Sequence, residues 1–322
     1  MKNITERINS YLKQGIFESC EIAVINQGNV KTCFFSNASE AFSSDSDRAG
    51  KLWDLASVTK VVGVGTVLID RIFSGRIKLD ESLQHYYPSW HEATVTIRQL
   101  LTHTSGIDPF ILNRDQLNSV ELKDAMNHLK VTSDKSFKYT DVNFILLGFM
   151  LEKQTGQSLD KLFQAEVFDR WKMTETHFGP VKNAFPTVKD QPAGVVHDPK
   201  ARVLGIHCGS AGLFSSVSDL IKFVQGYFAD DRYLRLLQDY TNTGNKARSL
   251  AWDLLPDDYL LHTGYTGTFI LMNLRRQSAV IFLSNRVYYR DERQKWIKDR
   301  DLLISDFQEY LADFQVHCHE KH

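Results

Sequence analysis

The chain has 322 residues, of which 43% are apolar and 24% are charged, and its formal net charge at pH 7 is −1. This composition is typical of a folded globular protein and argues against extended disorder. The near-zero charge, without a stripe of lysine and arginine, argues against nucleic acid as a partner, and no segment approaches the ~20 apolar residues that span a bilayer.

The N-terminal segment MKNITERINSYLKQG has charges or amides every few residues, which predicts an amphipathic helix rather than a signal peptide. The cysteines are scattered without a CxxC pair, which indicates reduced thiols rather than a disulfide frame or a zinc site: Cys20, Cys33, Cys208 and Cys318. We therefore expect a cytoplasmic protein, with the C-terminal HCHEKH stretch as a frayed end.

β-Rich segments lie at both ends of the chain. CEIAVINQG and NVKTCFFSNAS, around a Gln-Gly-Asn turn, predict a hairpin, and GTFILMNLRR and SAVIFLSNRVY predict two further strands. The segment DERQKWIKDRDLLISDFQEYLADF then has the 3.6-residue apolar period of a closing helix.

The middle of the chain has mostly helical periodicity. KVVGVGTVLIDRIFSG, TIRQLLTHTSG and DVNFILLGFMLEKQTG each end in a glycine, a typical helix stop, while the segments starting at Ser158 and Ser216 begin with a serine cap. The pattern predicts one α/β (α+β) domain over 1–322. Its α/β lobe spans about 1–56 and 250–322, with an antiparallel sheet and terminal helices, and an inserted helical lobe spans about 57–249.

The pattern Ser-x-x-Lys occurs three times, at Ser10/Lys13, Ser57/Lys60 and Ser158/Lys161. The first pair lies on the polar side of the N-terminal helix, and the third begins at a predicted helix cap. The second precedes a segment that is apolar on nearly every side, which indicates a buried helix. Context therefore favours the second pair.

If Lys60 is buried, its ammonium group needs a partner or a lowered pKa, because an unpaired buried charge is costly. Residues i and i+3 share a helix face, which places the ammonium beside the Ser57 hydroxyl. Such a pair is an activated nucleophile. The alternative is that Ser57 caps the helix while Lys60 extends outward to solvent.

Two later segments bear on this choice. FKYTDVNFILLG carries Tyr139 and Asp141 at the start of an apolar helix, and LLHTGYTGTFI carries His262 at the start of a β-rich run. Ser-x-x-Lys, then Tyr-x-Asn or a relative, then Lys-Thr-Gly or His-Thr-Gly is the signature of penicillin-recognising serine hydrolases. The chain resembles the serine β-lactamase and penicillin-binding protein superfamily from about Cys20 to Tyr288, on the class C-like branch with esterases and D,D-peptidases.

The resemblance implies a β-lactamase/transpeptidase-like fold and a set of roles. Ser57 would be the acyl-accepting nucleophile, Lys60 its proton partner and Tyr139 the second member of the acid/base pair. Asp141 stands where the family usually has Asn, and its charge would hold Lys60 protonated and so favour Tyr139 as the base.

The third motif would bind the substrate through His262, Thr263, Gly264 and Tyr265. His262 replaces the commoner lysine, a variant that resembles peptidases and esterases of the family more than efficient β-lactamases. Gly264 would let substrate approach the backbone. The resemblance places an oxyanion hole at the backbone N–H groups of Ser57 and Tyr265, on the edge strand.

Other motifs have structural interpretations. VGVGTVL lacks the third glycine of a dinucleotide loop and lies in a helical pattern, which favours helix packing. We expect His103, and His197 with Asp198, to pin loops, and the remaining histidines lack zinc spacing. The sequence therefore predicts no cofactor and no metal.

The predicted function is a serine hydrolase that forms an acyl-enzyme on Ser57, most simply an esterase or amidase/peptidase for small acyl substrates. Two alternatives stay open. One is a β-lactam-binding sensor or weak β-lactamase with slow deacylation, and the other is a cytoplasmic D-amino-acid peptidase on wall fragments. The expected partner is a small ester, amide, D-peptide or β-lactam.

Overall fold

The computed structural model describes residues 1–37 and 48–319, with 314–319 by their backbone alone. The strands are β1 (Ser19–Asn26), β2 (Asn29–Ser36), β3 (Trp53–Asp54), β4 (His177–Phe178), β5 (Leu213–Ser215), β6 (Asp253–Leu255), β7 (Tyr259–Thr263), β8 (Phe269–Asn273) and β9 (Ser278–Ser284). The α-helices are Lys2–Lys13, Thr66–Phe73, Leu83–Tyr86, Ile97–Leu101, Ser119–Asn127, Val142–Thr155, Leu159–Phe163, Asp169–Trp171, Pro199–Leu204, Val217–Phe228 and Arg293–His319.

Six strands form one antiparallel sheet in the order β2-β1-β9-β8-β7-β6. The N-terminal hairpin is confirmed, and its two-residue turn at Gln27 and Gly28 has positive φ at both positions, the geometry that matches strand twist. The C-terminal strand pair, β8 with β9, is confirmed as well. The predicted mixed fold with an antiparallel sheet is therefore correct.

Both faces of this sheet are covered, as the side-chain alternation of β8 shows. Phe269 and Leu271 pack with the first and last helices, whereas Ile270 and Met272 belong to the larger core shared with the helical part. The large core also surrounds Val142–Thr155, whose first ten residues are buried. A helix that is apolar all round is stable only in such a position.

The segment after Ser57 differs from the predicted continuous α-helix. Ala56–Val58 is a 3-10 turn, Val61–Gly65 is a π-helix, and the α-helix proper is Thr66–Phe73. Gly63 faces the ring of Phe163, which would lie 2.4 Å from an added Cβ. Helix packing was therefore the correct interpretation of VGVGTVL.

Three further local predictions need correction. The helix Ile97–Leu101 ends well before Gly106, because the chain turns at His103 with a φ of +56°. Ser158 occupies the N-cap position, but its hydroxyl contacts Asp160 and makes no capping bond. Ser216, in contrast, accepts the expected bond from the Asp219 N–H.

A small sheet in the order β3-β5-β4 joins the helical part to the residues before Ser57. Trp53 pairs with Ser215 and Asp54 with Phe214. The boundaries proposed for the two lobes stay a prediction. Within 1–37 and 48–319, the structure contains no helix long and apolar enough to cross a membrane.

Candidate active site

Ser57 lies at a sharp turn directly after β3. The Leu55 N–H donates to the Leu213 carbonyl at 3.0 Å, which fixes the end of the strand. Ala56 then adopts a φ of +44°, an uncommon conformation for a residue with a side chain. This turn leaves Ser57 partly exposed between buried neighbours.

The Lys60 ammonium is fully buried and is directed at the Ser57 hydroxyl. Its Nζ lies 2.8 Å from Ser57 Oγ, 2.7 Å from Asp141 Oδ1 and 3.1 Å from the Ser210 carbonyl oxygen. Three acceptors match the three donors of an ammonium group. Because Lys60 points inward, the alternative that it extends to solvent is wrong.

Asp141 lies between two cations at the N-cap position of the helix Val142–Thr155. Its second carboxylate oxygen is 3.0 Å from Lys200 Nζ, and Lys200 also lies 3.1 Å from Asp198. Burial raises the pKa of Asp141, but the attraction of Lys60 and Lys200 outweighs it, so the pKa lies well below its usual range. The carboxylate is ionised throughout the physiological range.

The ion pair with Asp141 also keeps Lys60 charged. Burial lowers the pKa of Lys60, but the charge of Asp141 and the contribution of Tyr139 raise it further, so the net pKa lies above its usual range. Lys60 therefore acts here as a cation and hydrogen-bond donor. A protonated ammonium has no lone pair with which to accept a proton.

Tyr139 lies near the buried Lys60 ammonium, and 42% of its own surface is exposed. Nζ of Lys60 is 5.1 Å from the centroid of its ring. The ring also packs on His103, with 4.4 Å between centroids. The structure therefore places Tyr139 close to the same ammonium group that contacts Ser57 and Asp141.

His103 is a buried support for this segment. Its carbonyl accepts the Lys138 N–H at 2.9 Å, and its Nδ1 lies 3.1 Å from Asn143 Nδ2 and 3.4 Å from the Thr140 N–H nitrogen. Burial holds its pKa well below the usual range. The neutral ring thus pins the loop that carries Tyr139, the structural role expected for it.

His262 lies near the C-terminal end of β7, which finishes at Thr263, so the expectation that it starts a β-rich run was wrong. β6 pairs with Tyr259, Leu260 and Leu261, and within the described residues no strand pairs with His262 and Thr263 on that side. β7 is therefore the second strand from the edge, although it is open at the motif. Burial, followed by the charges of Lys60 and Arg248, lowers the pKa of His262 to about 3, so the imidazole is neutral.

The turn after the third motif is attached to the residues before Ser57. The Thr268 hydroxyl donates to the Leu55 carbonyl at 3.2 Å, and the Thr266 hydroxyl donates to the Asp54 carbonyl at 2.9 Å. A Cβ on Gly264 would lie 2.7 Å from the Leu55 oxygen, so this approach requires glycine.

Tyr265 lies in this turn with its side chain held from several directions. Its hydroxyl donates to Asp291, and its carbonyl accepts the Arg286 guanidinium, which also stacks over the ring at 4.7 Å. His197 stacks on it with 5.4 Å between centroids. In the described part of the chain, neither the Ser57 nor the Tyr265 N–H donates a hydrogen bond, as an oxyanion hole requires.

Sequence reasoning missed Lys200 and the Ser210 carbonyl. Lys200 lies in the segment HDPKAR, residues 197–202, but no local pattern links it to Asp141, 59 residues earlier. A backbone carbonyl has no sequence signal at all. Among the described residues, no group of three or more His, Cys, Asp or Glu side chains could hold a metal ion.

The site contains the groups that an acyl-transfer reaction needs. A hydroxyl accepts a hydrogen bond from a fixed cation, a phenol lies nearby, and two unused N–H donors belong to the segments that flank the hydroxyl.

Comparison with known proteins identifies the family of the chain. The family model "Beta-lactamase" matches residues 20–304. The Escherichia coli K12 protein "Putative D-alanyl-D-alanine carboxypeptidase" is 25% identical, and the match covers 74% of this chain and 69% of that protein. A Salmonella gallinarum protein of the same description is 23% identical over 73% of this chain and 69% of its own length.

Solved structures show the same fold at low identity. A class C β-lactamase superposes with a TM-score of 0.73 at 17% identity, covering 94% of this chain and 95% of that one. The D-alanine carboxypeptidase AmpC from Burkholderia cenocepacia gives 0.73 at 17% identity, covering 95% and 98%. With the family match extending over most of its length, the chain belongs to the β-lactamase family.

Proposed function

We propose that this β-lactamase-family protein is a serine hydrolase that forms an acyl-enzyme on Ser57, with a small ester, amide or peptide as substrate. The observation that supports this most directly is the 2.8 Å contact between the Lys60 ammonium and the Ser57 hydroxyl in a partly exposed turn. Membership of the family supports a hydrolase.

In the proposed reaction, Ser57 Oγ attacks the substrate carbonyl and its proton passes to Tyr139, which acts as the phenolate. Lys60 stays protonated and stabilises the developing alkoxide through its hydrogen bond. The N–H groups of Ser57 and Tyr265 receive the negative oxygen. Tyr139 then protonates the leaving group. In the second half it takes a proton from the attacking water and returns it to Ser57 Oγ as the acyl–oxygen bond breaks.

The test is turnover of p-nitrophenyl acetate by the wild type, Ser57→Ala and Ser10→Ala. Ser10 is the matched control because it belongs to a second Ser-x-x-Lys pair, at an exposed position of the first helix. We expect Ser57→Ala to lose turnover and Ser10→Ala to keep it. Equal rates in all three proteins would disprove the proposal.

Within this function, we propose a substrate with a negatively charged leaving group, such as a peptide with a free D-amino-acid carboxylate. The buried Arg248 guanidinium lies close enough to Tyr139 and His262 to interact electrostatically with both. Arg248 and Lys246 share the single carboxylate of Asp253, so the group has one excess positive charge. The E. coli relative is described as acting on D-alanyl-D-alanine.

This substrate proposal is tested with an acyl-D-alanyl-D-alanine peptide and its C-terminal amide. The free acid should be cleaved with the lower KM, and Arg248→Gln should abolish the difference. Equal kinetics for the acid and the amide in the wild type would contradict it.

A second candidate is a protein that acylates but deacylates slowly, for which β-lactams would be ligands. The observation in its favour is that Asp141 keeps Lys60 protonated, which leaves deacylation to Tyr139 alone. Intact-protein mass spectrometry after mixing with penicillin distinguishes the two. A persistent adduct supports the slow acceptor, and rapid return to the free mass supports the hydrolase.

We also propose a cytoplasmic location. The described cysteines Cys20, Cys33 and Cys208 are free thiols, which fits a reducing compartment. Cell fractionation tests it, and recovery of the protein outside the cytoplasmic fraction would contradict it.

A further inference from the structure

Asp54 is a buried carboxylate that connects three segments of the active site. Its Oδ1 accepts the Ala56 N–H at 2.8 Å, and its Oδ2 accepts the His197 N–H at 2.8 Å. Its backbone carbonyl accepts the Thr266 hydroxyl at 2.9 Å. Only 3% of the residue is exposed.

Each of the three hydrogen bonds of Asp54 is made with a residue that is adjacent in sequence to a residue of the proposed site. Ala56 precedes Ser57 and has the unusual φ of +44°. Thr266 follows Tyr265, whose N–H is a proposed oxyanion donor.

The hydrogen bond from the His197 N–H connects Asp54 indirectly to Asp141, the ion-pair partner of Lys60. His197 precedes Asp198, Asp198 holds Lys200 at 3.1 Å, and Lys200 holds Asp141 at 3.0 Å. Asp54 thus connects the nucleophile, the oxyanion turn and the charge pair at a single point.

Keeping a charge in this position is costly for folding. Burial raises the pKa of Asp54 to about 6, although the N–H bonds from Ala56 and His197 lower it. The other charged groups facing it oppose each other: Asp198 raises the pKa and Arg202 lowers it. A buried carboxylate with so little compensation indicates a role other than stability.

We propose that Asp54 is a positioning residue that holds the Ser57 hydroxyl in register with the Lys60–Asp141 pair and the Tyr265 N–H. This inference rests on the proposed function. Both carboxylate oxygens act as acceptors, one for each segment, so a side chain with a single acceptor cannot replace it. Misplacement of the nucleophile by about 1 Å costs on the order of 10²-fold in rate.

The test variant is Asp54→Asn, in which the amide nitrogen must face one of the two N–H donors. We expect kcat for p-nitrophenyl acetate to fall by about 10–100-fold with KM changed less than about threefold. Labelling of Ser57 by a fluorophosphonate should slow by a similar factor. Wild-type kcat in a folded Asp54→Asn protein would overturn the proposal.

Asp219→Asn is the matched control. Asp219 is another fully buried carboxylate that accepts a backbone N–H, from Glu175 at 2.7 Å, and a hydroxyl, from Thr176 at 2.9 Å. It lies at the start of the helix Val217–Phe228, and within the described residues its side chain makes no hydrogen bond to the nucleophile turn. Its substitution should change thermal stability and leave kcat per folded molecule unchanged. An equal loss of kcat in both variants would show a merely structural role and overturn the proposal.

The pH dependence of kcat provides a second test, because general destabilisation of the fold does not change its shape. Protonation of Asp54 converts an acceptor into a hydroxyl donor opposite an N–H, so wild-type kcat should fall below about pH 6. In Asp54→Asn, kcat should no longer fall at acidic pH, and its value at neutral pH should stay below that of the wild type. An unchanged acid limb in the variant would overturn the proposal.

Two outcomes separate this inference from the proposed function. If the fluorophosphonate does not label wild-type Ser57, the hydrolase proposal fails and Asp54 has no nucleophile to position. If the wild type is labelled and Asp54→Asn is labelled at the same rate, the Asp54 inference alone fails. Should Asp54→Asn not fold, Thr266→Val removes another of the three bonds: a lower kcat at constant KM supports the proposal, and wild-type kcat overturns it.

Discussion

The Asp141 carboxylate lies 2.7 Å from the Lys60 ammonium, and this ion pair sets the protonation state at the centre of the proposed site. Lys200 binds the other carboxylate oxygen, so Asp141 is neutralised from two sides. The resemblance placed an uncharged Asn at this position. The negative charge of Asp141 therefore keeps Lys60 protonated, so that in this chain Lys60 donates hydrogen bonds and does not act as a base.

Asp141→Asn should lower the pKa of Lys60, because the ammonium would remain buried beside Lys200 without a carboxylate. If protonated Lys60 is required, kcat/KM should start to fall at a lower alkaline pH, by roughly one pH unit or more. The pH dependence of kcat/KM measures this directly. A profile that coincides with that of the wild type would show that the charge state of Lys60 does not limit the reaction.

Tyr139→Phe should lower kcat/KM by about 10²–10⁴-fold, because it removes the proposed base and keeps the ring. Stacking on His103 is retained, so circular dichroism and melting should change little. Tyr289→Phe is the control, since Tyr289 is similarly exposed at 44%. If Tyr139→Phe keeps more than a tenth of the wild-type rate, another group accepts the proton.

His262 should remain neutral at physiological pH, and this has a measurable effect on stability. Its folded pKa of about 3 lies below the unfolded value of about 6.5, so the unfolded state binds the extra proton as the pH falls. Stability is fully present above about pH 6.5 and is lost progressively towards pH 3. This residue should contribute about 2 kcal/mol of lost stability between pH 7 and 5.

Urea unfolding of the wild type and His262→Gln at both pH values measures this contribution. The variant should lose less stability on acidification, because glutamine does not titrate. Equal losses in the two proteins would indicate that the imidazole binds a proton in the folded state. In nuclear magnetic resonance spectra, the imidazole signals of His262 should not titrate between pH 5 and 8.

The sheet and its flanking helices were predictable because their signals are local. The β-rich apolar runs of β8 and β9, the Gln27-Gly28 turn and the apolar helix Val142–Thr155 each follow from the identity and spacing of neighbouring residues. The order of Ser57, Tyr139 and His262 along the chain gave the family resemblance. The structure brings Ser57 and Tyr139 to one ammonium.

The remaining features depend on contacts that sequence spacing does not encode. The π-helix at Val61–Gly65 reflects packing of Phe163 against Gly63, 100 residues apart. The bond between Lys200 and Asp141 and the acceptor role of the Ser210 carbonyl arise only when distant loops meet. The early end of Ile97–Leu101 follows from His103, whose burial fixes a backbone conformation that propensity disfavours.

The most direct test of the central claim is covalent labelling of Ser57. Wild type, Ser57→Ala and Ser10→Ala are treated with a fluorophosphonate, digested and mapped by mass spectrometry. We predict one adduct on the peptide that contains Ser57 in the wild type and in Ser10→Ala, and none in Ser57→Ala. An adduct at another residue, or equal labelling of Ser57→Ala, would contradict the account.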